Sequence, residues 1–454
     1  MQIRFMKYRK LDIRYLVLIF SMLSVAIHVA ADEMTPCPLT LPGSATTKFG
    51  LYVKDLRTGE VVSDVNAGQL FVPASVTKAL TTASVSGQLP VDARWTTNTY
   101  VEGRISGGVL HGNVVIDAVG DPTIESRYFK EAAGLPDSIA AALRSMGIDS
   151  ISGRVTVSIK PWLDEQVPAG WMGEDLIWPY GTAHHSMNYK DNKMTLNLAT
   201  GKSEPYSPGL KISRMGRKQV SKKRDSDVVY VSPGSKGSLS VAMPDPADAF
   251  CYAVTKAMDK RGIGVGGKTI DEKGDKKKLY SHLSPSVTDV MRSLMFRSDN
   301  MMAEATLRLL APNQSRMAAA RRELSLWDAR GINTDGIYIE DGSGLSRNDR
   351  MSPRFLGDVL EWMARSDDAE RYTSFFPKAG REGTMRNFMK DSALDGRMAT
   401  KTGSMSGVQC YAGYMLDDAG RPTHVVVIMV NGFKCDRSKL KKAIGDYLIG
   451  LDLK

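Results

Sequence analysis

Pro73-Ala74-Ser75-Val76-Thr77-Lys78 is the stretch from which the rest of the chain can be read. A serine followed three positions later by a lysine puts both side chains on one helical face, within reach of each other. With Ser75 in the first turn, its backbone N–H and the positive end of the helix dipole face incoming anionic charge. A serine hydroxyl is a poor nucleophile until a base takes its proton. Lys78 becomes that base if desolvation and a nearby second cation depress its pKa. Two further motifs follow in order: Ser298-Asp299-Asn300 falls between two predicted helices, and Lys401-Thr402-Gly403-Ser404 opens a late strand pair. Lys401 supplies the second cation, Ser298 a proton relay to a leaving amine, and Asn300 a hold on the substrate amide. Thr402 and Lys401 suit a terminal carboxylate, and Gly403 removes a side chain that would block close backbone approach. The N–H groups of Ser75 and Ser404 then form an oxyanion hole. Taken singly, each motif reads as a capped helix or a surface lysine. The ordered triple points to nucleophilic acyl transfer.

Around these motifs the chain changes character twice. Phe49–Lys54 alternates as a strand, and the composition of Ala74–Ser84 favours helix. From about 91 to 278, short Gly/Thr/Val-rich strands dominate, with one helical run near Asp137–Met146. Periodic helices are then predicted over Val287–Phe296, Met301–Leu310, Arg316–Arg330 and Pro353–Ala364. Strands at Val408–Leu416 and His424–Val430 and a closing helix at Lys439–Gly450 complete the pattern. The expected division is a leader at 1–31, one domain split into 32–90 and 279–454, and a β-rich insertion at 91–278. With 454 residues, 42% hydrophobic and 24% charged, the chain buries a large core without disulfide staples. Its four cysteines are too few for a disulfide scaffold, and simple hairpin register does not place Cys410 opposite Cys435.

Arg4, Lys7, Arg9, Lys10 and Arg14 precede an apolar run, Tyr15–Ala31, that closes on Val29-Ala30-Ala31. This is the pattern of a cleaved export signal and predicts a periplasmic protein; an uncleaved anchor is the alternative. Removing residues 1–31 takes away five Lys/Arg and one Asp and lowers the net charge from +10 to +6. The remaining basicity clusters at Arg214, Arg217, Lys218, Lys222, Lys223 and Arg224, and again at Lys273 and Lys276–Lys278. With few interleaved aromatics these runs exclude nucleic acid and read as surface loops. They also suit peripheral attraction to an anionic wall polymer or membrane surface. Gly262–Thr269 matches a phosphate-loop pattern, but it follows a predicted helix (Ala247–Lys260) and starts none, so no nucleotide is expected. No His/Cys spacing fits a metal, and no cofactor is implied.

Together the three motifs resemble those of serine penicillin-binding proteins and β-lactamases. The wider pattern is similar to the D-alanyl-D-alanine carboxypeptidase/endopeptidase family, the class C low-molecular-mass penicillin-binding proteins. Asp55-Leu-Arg-Thr-Gly59, Gly120-Asp-Pro-Thr123, Asp341-Gly-Ser-Gly-Leu-Ser-Arg347 and Gly383-Thr384 extend it, as do the 219 residues between Lys78 and Ser298. The resemblance implies an α+β transpeptidase fold, a five-stranded antiparallel sheet flanked by helices and built from both ends of the chain. The insertion would form two further domains. It implies hydrolysis of the D-Ala-D-Ala bond of peptidoglycan stem peptides, in many members also of their crosslinks, with β-lactams acylating the same serine. It further implies that Asp175, in Trp171-Met-Gly-Glu-Asp175, reads the cationic end of the stem-peptide side chain. Two other readings share the motifs. A serine β-lactamase spaces the first two more closely and adds a deacylating Glu, whereas Glu304 here reads as a structural helix residue. The other is a non-hydrolytic penicillin- or wall-binding protein.

Overall fold

Val425–Val430 is an unbroken apolar run, the signature of a strand covered on both faces. It lies in Pro422–Asn431, the middle strand of a five-stranded sheet. The computed structural model describes residues 34–453 except 42–43, 164–166, 225, 227 and 268–273. The leader expected at 1–31 lies outside the described residues. The sheet runs Met398–Met405, Val408–Leu416, Pro422–Asn431, Lys48–Asp55, Val61–Val65, every neighbour antiparallel. Lys48 pairs with Asn431 and Asp55 with His424, so the two ends of the chain share one sheet. The fold is α+β.

Alternation sorts the two faces of this sheet. Phe49, Leu51, Val53, Val426, Ile428 and Val430 pack with Leu440, Ile444 and Leu448 of the closing helix, Arg437–Gly450. On the other face, helix Pro353–Ala364 lies directly against Tyr52. A Cβ at Gly357 would stand 2.3 Å from that ring, so only glycine permits the approach. Tyr414 Oη donates to Leu360 O at 2.8 Å and ties helix to sheet.

Helix Thr77–Ser86 is buried at all ten of its residues. Its Ala, Ser and Thr side chains let neighbouring helices close in, and the hydroxyls of Thr82 and Ser84 bond back to its own carbonyls. Thr82 Oγ1 donates to Lys78 O at 2.8 Å, and Ser84 Oγ to Leu80 O at 2.9 Å. Bulky partners fill the space that the small residues leave: Trp327 Nε1 reaches Ser84 Oγ and Tyr372 Oη reaches Ala79 O.

Between the halves of this lobe lie a six-stranded sheet and two three-stranded sheets. The first of the short strands expected here form a hairpin, Thr96–Ser106 and Val109–Asp117, turning at Gly107-Gly108. Lys276–Leu283 pairs along Thr96–Ser106 and closes the larger sheet, so the boundary drawn at 278 falls inside a strand. Lys276–Lys278, expected in a loop, open that strand as exposed residues. Helices Leu135–Ser145 and Pro246–Lys260 share this region's apolar core. The latter ends before Gly262, and strand Gly264–Val265 follows it, helix before strand rather than the reverse. All four cysteines are free thiols.

Candidate active site

Ser75 stands in a short 3₁₀ turn, Ala74–Val76, just ahead of helix Thr77–Ser86 rather than inside its first turn. Lys78, fully buried one turn on, has three polar neighbours. Its Nζ is 3.0 Å from Ser75 Oγ, 2.6 Å from Asn300 Oδ1 and 2.6 Å from Ser343 O. The last two are acceptors only. A neutral amine therefore spends both N–H bonds on them and turns its lone pair toward the Ser75 hydroxyl. Burial pushes the Lys78 ammonium down to about 8, although Asp341, Glu304, Asp299 and Asp349 pull the other way.

Ser343 O is held in place by a loop wound round one buried carboxylate. Asp341 accepts from the backbone N–H groups of Ser343, Gly344 and Ser346 and from Trp171 Nε1. Behind it, Glu304 Oε1 accepts from Gly342 N at 3.1 Å, and burial, with Asp341 adding, raises that carboxyl to about 7. Glu304 thus shapes the lysine's wall.

The second motif caps two helices in succession. Ser298 ends Val287–Arg297 in the left-handed conformation, φ 58°, and Asp299 starts Asn300–Arg308 by accepting from Met302 N. The turn sends Ser298 toward the sheet, where Lys401 Nζ donates to its Oγ at 2.9 Å. Asn300 points the other way: besides meeting Lys78, its Nδ2 donates to Tyr180 O at 2.7 Å. Both ends of the amide that was expected to hold substrate are thus engaged within the protein.

Lys401 is as deeply buried as Lys78. Burial first, and the charge of Lys78 second, hold it well below the usual lysine range. The expected repulsion between the two ammonium groups therefore weighs on Lys401, while burial governs Lys78. Its strand, Met398–Met405, lies hard against the serine turn. A Cβ at Gly403 would sit 2.7 Å from Pro73 O and 3.1 Å from Ser75 N. Ser404, one residue on, lines the same cleft as Ser75. Ser404 Oγ donates to Gln409 Oε1, and Thr402 Oγ1 to Thr384 Oγ1, both at 2.9 Å.

Ser75, Ser298, Asn300 and Ser404 line one cleft of about 430 Å³ with Asp175, Tyr180 and Arg347. Asp175 accepts from Tyr180 Oη at 2.8 Å. Sequence reasoning did not find the carbonyls of Ser343 and Tyr180, because backbone atoms carry no residue signature. Nor did it find Lys193, whose Nζ is 3.0 Å from Asp299 Oδ2.

Known proteins give this geometry a family. The chain is 25% identical to the D-alanyl-D-alanine carboxypeptidase DacB of Haemophilus influenzae, over 87% of this chain and 88% of that one. The crystal structure of penicillin binding protein 4 (dacB) from Haemophilus influenzae superposes with a TM-score of 0.76 at 23% identity, covering 90% of this chain and 97% of that one. The same protein complexed with a β-lactam gives 0.72 at 22% identity, with the same coverage. These structures share the fold. The model of the D-Ala-D-Ala carboxypeptidase 3 (S13) family matches residues 39–448, from before the first sheet strand into the closing helix and across all three motifs, and the chain belongs to that family.

Proposed function

We propose that Ser75 is the acylated residue of this serine D-Ala-D-Ala carboxypeptidase/endopeptidase and Lys78 its base. The observation that carries this is the Lys78 amine, held by two carbonyl acceptors and 3.0 Å from Ser75 Oγ. Lys78 takes the Ser75 proton as Oγ bonds to the scissile carbonyl carbon. The N–H groups of Ser75 and Ser404 receive the charge that develops on oxygen. As the C–N bond breaks, the leaving D-Ala amine takes a proton from Ser298, which Lys401 replenishes across 2.9 Å. Lys401 and Thr402 hold the terminal carboxylate. Asn300 serves by orienting Lys78. Lys78 then passes its proton on to Lys401, which restores both amines. Water attacks the acyl carbonyl carbon and gives its proton to Lys78, which hands it to Ser75 Oγ as the ester C–O bond breaks. A β-lactam follows the same first step and stays attached.

The substrates are peptidoglycan stem peptides and their crosslinks, with Asp175 reading the cationic end of the stem side chain from the rim of the cleft. Residues 1–31 act as a cleaved export signal to the periplasm. No helix among the described residues is long and apolar enough to cross a membrane. The basic runs favour peripheral contact with wall or membrane. The inserted strands form separate domains between the two parts of the catalytic lobe.

The assignment is tested with a labelled penicillin, which tags the wild type and leaves Ser75→Ala unlabelled. Continued labelling of that variant sinks it. Crosslinked muropeptides analysed by mass spectrometry then separate the activities: loss of one alanine marks the carboxypeptidase, and dimer cleavage the endopeptidase. Inert muropeptides with rapid penicillin hydrolysis would mark a β-lactamase.

A further inference from the structure

Residues 297–300 form the turn that delivers Ser298 and Asn300, and three of these four residues are gripped from the inserted region. The Arg297 guanidinium lies 4.1 Å over the centre of the Tyr128 ring. Asn300 Nδ2 donates to Tyr180 O at 2.7 Å. Asp299 uses both oxygens: Oδ1 caps the following helix at Met302 N, and Oδ2 accepts from Lys193 Nζ at 3.0 Å. This last pair is shielded, with side-chain exposures of 11% for Lys193 and 6% for Asp299. Ser298 itself sits at φ 58°, a conformation that costs a serine free energy and persists only where its surroundings impose it.

The chain that delivers Lys193 is unusual too. Lys190, Asp191 and Asn192 are successively left-handed, at φ 49°, 59° and 51°. The strain is held by polar contacts: Asp191 accepts from Ser126 Oγ at 2.5 Å and Arg127 Nε at 2.7 Å, and Asn192 Nδ2 donates to Ala183 O at 2.9 Å. Three strained residues in a row, pinned on both sides, bring the next residue onto Asp299. An exposed lysine on an ordinary strand would need none of this.

We propose that Lys193 is a positioning residue for the reaction: through its buried ion pair with Asp299 it holds the left-handed Ser298 turn so that the Ser298 hydroxyl stays in register with Lys401. The inserted region is then part of the catalytic alignment as well as a wall of the cleft. This rests on the acyl-serine reading above, in which Ser298 hands a proton to the leaving amine. A displaced hydroxyl slows bond breaking without weakening substrate binding. Lys193 therefore acts on kcat and not on KM.

The test uses the full chain, a synthetic peptide ending in D-Ala-D-Ala, and labelled penicillin as a separate readout. Lys193→Met is expected to lower kcat by roughly 10- to 100-fold with KM nearly unchanged, the scale of a displaced catalytic group. Lys193→Arg, which keeps the charge, is expected to recover most of that loss. Asp299→Asn keeps an oxygen for the cap and loses the ion pair, so it should match Lys193→Met. Each single variant leaves one buried charge unpaired; the double variant Lys193→Met/Asp299→Asn leaves none. Its thermal midpoint should return toward wild type while kcat stays low, which a merely structural pair would not produce. Wild-type kcat in Lys193→Met, a change confined to KM, or a double variant that regains kcat together with stability would each overturn the assignment. A wild type that penicillin does not label would overturn the acyl-serine reading and this inference with it, a result distinct from those three.

Discussion

The acylation rate should report the burial of Lys78 directly. An ordinary lysine titrates near 10.5, and burial brings this one down to about 8. At pH 7 the neutral, proton-accepting form then rises from about 0.03% of molecules to about 9%, a gain of roughly 300-fold. The second-order rate of acylation by labelled penicillin should therefore climb nearly tenfold per unit below pH 7, reach half its maximum near pH 8, and level off by about 9.5. Between pH 6 and 9 the total rise is about 90-fold. Quenching the labelling reaction at timed intervals across this range gives the profile. The same group leaves a mark on stability. In the folded state Lys78 loses its proton near pH 8, in the unfolded state near 10.5, so the unfolded state binds more protons between those values. Below pH 8 the buried charge costs about 3 kcal/mol, and its penalty fades as pH rises through that window. A flat rate between pH 6 and 9 would refute the reasoning, as would one still climbing tenfold per unit beyond pH 10.

Gly403→Val should abolish penicillin labelling while the sheet still forms. The new Cβ would stand 2.7 Å from Pro73 O, and the strand must retreat from the serine turn. A loss of at least about 100-fold is expected from that displacement, read by the same labelling, with circular dichroism confirming the fold. Glu323→Gln addresses a buried group outside the cleft. Burial raises the Glu323 carboxyl to about 8, so the folded state retains a proton that the unfolded state sheds near pH 4.5. Stability is lost as pH rises from that point, by about 3 kcal/mol at pH 7, and an amide that cannot ionise escapes the loss. Denaturation midpoints should favour the variant at pH 7 and converge with wild type near pH 4; equal midpoints at pH 7 would contradict the assignment.

The parts of the site legible in the sequence are those fixed by local geometry. Ser75 and Lys78 meet because they are three residues apart, and Ser298 and Asp299 cap consecutive helices because their side chains and left-handed backbone suit those positions. What escaped depends on atoms without a sequence signature or on distant pairings. Ser343 O faces Lys78 because an Asp341-centred loop turns it there, 265 residues along the chain. Lys193 reads as one more lysine on a strand until the left-handed run before it is seen. The closing strand Lys276–Leu283 was cut at 278 because its register is set by Thr96–Ser106, far earlier in the chain. Asn300 was recognised by type, but which of its ends meets the protein depends on where Lys78 and Tyr180 lie.

Two fully buried lysines are a liability for any fold, and here they stand where three segments meet. Lys78 lies on a helix with no exposed residue, Lys401 on the sheet's edge strand, and Ser298 on a turn between helices. Desolvation of both amines needs all three segments docked, because each supplies a wall for the others. In its proposed role as base, Lys78 is competent only in the completed fold: an exposed Lys78 returns toward its ordinary pKa and is almost fully protonated at neutral pH. The long separation of the motifs along the chain follows the same logic. Because the inserted region presses on the 297–300 turn through Tyr128, Tyr180 and Lys193, it closes the one wall that neither the sheet nor the Ser75 helix can supply.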